Sequence, residues 1–77
     1  MNIIGPQIKK YREKQKLTQK QLSEKLNLRG MDISMPVLSK IEVGERKVMD
    51  TEVLEFAKLF GIPIELLFKT DPTDETA

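Results

Sequence analysis

Residues 17–44 read LTQKQLSEKLNLRGMDISMPVLSKIEVG, and this stretch decides the fold. Thr18 stands ahead of a run in which Leu22 and Leu26 recur one helical turn apart. A threonine hydroxyl there can accept from the first unpaired N–H groups of a helix, so Thr18 is the expected N-cap. Leu17 precedes the cap and Leu22 follows it by four residues, the spacing of a hydrophobic staple. Gly30 is the expected stop, because helices often end on a left-handed residue. The pattern then repeats. Ser34 is a second expected cap, stapled by Ile33 before it and Leu38 after it. Pro36 falls in the first turn, where its missing N–H is tolerated. Leu38 and Ile41 form the buried side, Val37 borders them, and Gly44 closes the helix after Glu42-Val43.

Similar punctuation frames this pair. Gly5-Pro6 opens an earlier helix in which Ile8, Tyr11 and Arg12 share one face, fading near Gln15-Lys16. Asp50, or Thr51 beside it, is the expected cap of a fourth helix. Val53, Phe56, Ala57 and Phe60 make its apolar stripe and Gly61 ends it. Pro63 starts a short last helix, Ile64 to Phe68. No strand-like alternation and no internal repeat interrupts this order. The expected fold class is therefore all-α, a compact bundle of about five short helices occupying residues 1–68. Ile8, Tyr11, Leu22, Leu26, Leu38, Ile41, Ala57 and Phe60 are its expected core. Residues 69–77 carry three acids and little apolar content, and are expected to be a disordered tail.

Composition removes several function classes. The 77 residues contain no cysteine and no histidine. A Cys/His zinc site, a thiol nucleophile and a serine–histidine couple are therefore excluded. A core of this size supplies roughly 3–5 kcal/mol and hardly encloses a catalytic cleft. The acids Glu42, Glu45, Asp50 and Glu52 fall at helix ends, where caps and ion pairs explain them. An enzyme is not expected, nor is a cofactor, a metal or a small-molecule ligand. Met1 to Pro6 lacks the basic and apolar regions of a secretory signal, and no apolar run approaches the ~20 residues of a membrane span. The cytoplasm is the default compartment.

Two consecutive capped helices joined by a glycine-containing turn are a helix-turn-helix signal. The surrounding residues make it specific. The stretches IGPQIKKYREKQKLTQKQLSEKL at 4–26, SMPVLSKIEVGER at 34–46 and DTEVLEFAKLFGIPIELLF at 50–68 together resemble the lambda-repressor/Cro-like helix-turn-helix family. The pieces that carry the resemblance are Arg12, Leu17-Thr18-Gln19, Leu38-Ser39-Lys40-Ile41-Glu42-Val43-Gly44 and Phe56-Ala57-Lys58-Leu59-Phe60-Gly61-Ile62.

The resemblance implies sequence-specific DNA binding by a transcriptional regulator, with the 34–43 helix in the major groove. Carried over residue by residue, it places Gln19 on a phosphate. Met35, Pro36 and Lys40 become the base-facing positions, and Arg46 and Lys47 grip phosphates beyond the helix. Arg12 and Glu42 match a structural salt bridge of the family. The region around the last helix often mediates dimerisation in the family. Leu54, Leu59, Ile64 and Phe68 exceed what one apolar stripe requires, so they are dimer candidates here. The expected partner is double-stranded DNA, as an inverted repeat read by a homodimer. An alternative is a protein-interaction module on the same fold, for example an antitoxin-like partner-binding protein.

Two departures mark this chain. The segment between the paired helices exceeds the usual turn by about five residues, so the second helix and the turn are expected to be enlarged. Met35-Pro36 stands where the family often has Gln, Arg or Ser. These two side chains offer apolar contact to thymine methyl groups rather than bidentate hydrogen bonds. Polar readout then falls on Lys40, Ser39 and Arg29, with weight on DNA shape.

Charge fits this placement. Residues 1–47 hold eleven basic and five acidic side chains, net +6; residues 48–77 hold two and seven, net −5. The total of +1 conceals a dipolar chain whose positive part includes Lys20 and the paired helices.

Overall fold

The computed structural model describes residues 3–69, and these form helices without any strand. The helices are α1 (Gly5–Lys14), α2 (Gln19–Leu28), α3 (Met35–Glu42), α4 (Asp50–Phe60) and α5 (Glu65–Phe68). The architecture is all-α, as the punctuation of the sequence implies. The acidic tail lies, from residue 70 onward, outside the described residues.

Local chemistry explains most boundaries. The Thr18 hydroxyl accepts from the Gln21 N–H at 3.0 Å, and the Gln21 side chain accepts from the Thr18 N–H at 2.9 Å. This reciprocal box satisfies both donors at the start of α2. Gly30, Gly44 and Gly61 follow α2, α3 and α4 with φ of +88°, +86° and +72°. That left-handed turn lets later N–H groups reach back to carbonyls inside the helix, as Met31 does to Leu26 at 3.0 Å. Lys16 performs the same turn after α1 at φ +59°, although it is not glycine.

Two expected caps differ. Ser34 occupies the N-cap position of α3 with extended backbone, but its hydroxyl makes no capping bond. The N-cap of α4 is Met49, not Asp50, which is the first helical residue. Glu52 makes Met49 workable there. Its carboxylate accepts from the Met49 N–H at 2.9 Å, so the box is closed from the helix side.

α1 packs against α3, α4 and α5, while α2 packs against α3 and α4. Ile8, Leu22, Leu26, Leu38, Ile41 and Phe56 are fully buried where these helices meet. Ile33, Leu67 and Ile4 are buried with them, from the linker, from α5 and from the residue ahead of α1. Tyr11 is only partly buried, and packs beside Phe60 with ring centroids 6.1 Å apart. Two glutamines close the frame. Gln7 donates to the Leu66 carbonyl at 3.0 Å, and Gln15 donates to the Phe60 carbonyl at 2.8 Å, near the end of α4. Helix-end carbonyls lack intrahelical donors, so Gln15 supplies one. Among the described residues no helix is long and apolar enough to cross a membrane.

Candidate nucleic-acid interface

α3 is held from behind by a polar lock. Arg12 of α1 donates from Nε to Glu42 Oε2 at 2.7 Å and from Nη2 to Glu42 Oε1 at 3.1 Å. Its Nη1 donates to the Leu17 carbonyl at 2.8 Å. The Glu42 side chain is 2% exposed and the Arg12 side chain 10%, so the pair is buried. Hydrogen bonding to Glu42 holds the guanidinium proton more tightly than usual, against the cost of burial. The salt bridge expected from the resemblance is thus present, and it ties α1 to α3.

Gln19 joins the same lock. Its Nε2 donates to Glu42 Oε1 at 3.0 Å, linking the first turn of α2 to the last turn of α3. The residue expected on a phosphate is therefore also a positioning residue for α3.

The opposite face of α3 is open. Pro36, Lys40 and Val43 follow i, i+4, i+7 and are exposed. Met35 and Ser39 flank that row; Met35 is 47% exposed. Of the base-facing candidates, Met35, Pro36 and Lys40 therefore share one outward surface, and Ser39 on the same side is half-buried. Val43, at 64% exposed, belongs to it as well. The sequence marks Val43 as a helix end, yet its i+7 spacing from Pro36 sets it on the same row. Lys20 and Lys47 are exposed at the first turn of α2 and in the loop after α3.

The arginines behave differently. Arg46 is forked onto Glu52, Nη1 to Oε1 at 2.9 Å and Nη2 to Oε2 at 3.0 Å, and also donates to the Lys47 carbonyl. This partnership lowers the Glu52 carboxyl below its usual range and raises the Arg46 guanidinium. Arg46 is thus committed to the start of α4. Arg29 donates to Glu55 of α4 at 2.8 Å, which turns it toward α4 rather than into the outward row of α3.

The enlarged connection holds residues 29–34, where a helix-turn-helix ordinarily has three or four. Its far end is pinned. The buried Ser23 hydroxyl donates to the Ile33 carbonyl at 2.6 Å, and Ile33 fills the core. Asn27 braces the same place, donating to the Ser23 carbonyl at 2.6 Å.

The four dimer candidates divide. Leu54 and Phe68 are 44% and 51% exposed, while Leu59 and Ile64 are partly buried against the core. Ile3, Val48, Val53 and Phe68 line one apolar hollow of about 290 Å³, together with Lys47 and Asp50.

No curated protein and no solved structure gives a significant match to the chain. The family model described as helix-turn-helix matches residues 8–67, from inside α1 into α5. That span contains the capped α2, the lock on α3 and the open face beyond it. The chain belongs to the lambda repressor/Cro-like helix-turn-helix family of DNA-binding regulators.

Proposed function

We propose that the protein is a sequence-specific repressor that lays α3 in the major groove and acts by occupying its operator. The observation that carries this reading is the two-sidedness of α3. One side is fixed by Arg12, Gln19 and Glu42, and the other presents Met35, Pro36 and Lys40 to the outside, with Ser39 half-buried beside them. A recognition helix needs that rigidity, since a groove contact is only as specific as the helix is well placed.

In this reading Lys20 and Gln19 meet the phosphate backbone at the start of α2, and Lys47 meets it beyond α3. Arg46 contributes after sharing its guanidinium with Glu52. Arg29, paired with Glu55, supports the joint more than the groove. Two copies bind an inverted repeat with half-sites about one turn, roughly 34 Å, apart. Leu54 and Phe68, with Ile3 beside Phe68, supply the contact between copies. Leu59 and Ile64 serve the core first.

Selection of binding sites from random double-stranded DNA tests the reading. An enriched palindrome, bound with an affinity that falls steeply with salt, is the expected result. No enrichment by a folded chain would leave the protein-interaction alternative instead.

A further inference from the structure

Protein side chains that read base edges by paired hydrogen bonds are Arg or Lys on guanine and Asn or Gln on adenine. Among the described residues, every Arg, Asn and Gln side chain already has a partner inside the molecule, which leaves Lys40 as the one such reader exposed on α3. Arg12, Arg29 and Arg46 hold Glu42, Glu55 and Glu52. Gln7 and Gln15 hold helix carbonyls, Gln19 holds Glu42, Gln21 closes the α2 cap, and Asn27 braces Ser23. None of them lies on α3. The outward side of α3 offers the exposed Lys40, a half-buried Ser39, the exposed apolar Met35 and Pro36 and, at the C-cap, the exposed Val43.

We infer that this helix selects its site chiefly through the 5-methyl groups of pyrimidines in the major groove, read by Met35 and Pro36. The inference rests on the DNA-binding reading and names what that site recognises. N-terminal residues of a recognition helix contact the base edges, and Met35 and Pro36 are the first two residues of α3. The 5-methyl is the one apolar group a base presents in that groove. Met35 is nearly half exposed on an uncharged helix start, and a flexible thioether adapts to such a knob. Lys40, one turn further on, supplies a single cation for a purine acceptor or a phosphate. Methyl groups reach the groove from thymine or from 5-methylcytosine, and either satisfies this chemistry.

The test uses the full chain and duplexes from two random libraries, one unmodified and one with cytosines methylated. Enrichment of thymine-bearing half-sites from the first identifies thymine. Enrichment only from the second identifies 5-methylcytosine. The selected site is then rebuilt with deoxyuridine for each thymine, or cytosine for each 5-methylcytosine, one position at a time. Each contacted methyl is expected to be worth about fourfold in affinity, the value of one methylene removed from water. That loss is expected to shrink in Met35→Ala, a surface substitution whose folding is checked by circular dichroism. A tightly bound selected site that tolerates every demethylation would overturn the inference and leave DNA binding intact. Failure to select any site would overturn both.

Discussion

Arg12 and Glu42 meet fork against fork, 30 residues apart in sequence, with contacts of 2.7 and 3.1 Å. The pair joins α1 to α3 where water scarcely reaches. Removing one partner strands a charge, at a typical cost of about 3–5 kcal/mol. That is comparable with the whole stability of a core this small. Glu42→Ala should therefore lose most of its urea resistance, and DNA binding with it. Arg12→Met combined with Glu42→Leu should recover much of the loss, because no buried charge is left alone. A Glu42→Ala chain with an unchanged unfolding midpoint would contradict the buried pair.

Arg46 and Glu52 predict an acid limb. Hydrogen bonding to Arg46 holds the Glu52 carboxyl below its ordinary value in the folded state. A depressed carboxylate contributes stability that is present above the unfolded-state value. That contribution is lost as pH falls through the lower, folded-state value. Urea midpoints measured from about pH 6 down to pH 3 should drop, and Glu52→Gln should flatten part of that slope. An identical slope in the variant would assign the acid sensitivity elsewhere.

Lys16 sits in the left-handed region at φ +59°, a conformation that costs a residue with a Cβ about 1–2 kcal/mol. Lys16→Gly relieves this and gives back part through the freer unfolded chain. A net gain of about 0.5–1 kcal/mol is expected, or a few degrees in Tm. Lys16→Val should move Tm the other way. Equal melting of all three chains would show that the turn stores no strain.

Ser23 and Ile33 predict a local rather than global effect. Ser23→Ala leaves the buried Ile33 carbonyl with only a long contact from Asn27, at 3.4 Å. A cost of about 1–3 kcal/mol is expected. Hydrogen exchange should quicken at residues 29–35 before it quickens in α1. Uniform acceleration along the chain would argue against a pinned joint.

Much of this was written locally. The Thr18 box, the Leu17 and Ile33 staples and the three glycine stops use spacings of a few residues, which a sequence displays directly. Met49 was missed as a cap because methionine has no capping oxygen; the compensating group is Glu52, three residues on. Leu67 and Ile4 were missed because neither sits in a repeating stripe. The partners of Arg29 and Gln15 lie 26 and 45 residues away, and packing, not pattern, brings them together. The same distance effect governs the candidate interface. Met35, Pro36, Ser39 and Lys40 were legible as one helix face, while the diversion of Arg29 toward α4 was not.

The bond from Ser23 to Ile33 changes what the long connection is. The start of α3 is registered to α2 by a side chain, so the angle between the two helices is not set by the count of residues joining them. Ile33 is fixed in the core, Met31 is tied back to Leu26 and Arg29 is held on Glu55, so the bridge is pinned along its length. A recognition face transplanted onto this frame would keep its aim as long as Ser23 travels with the frame.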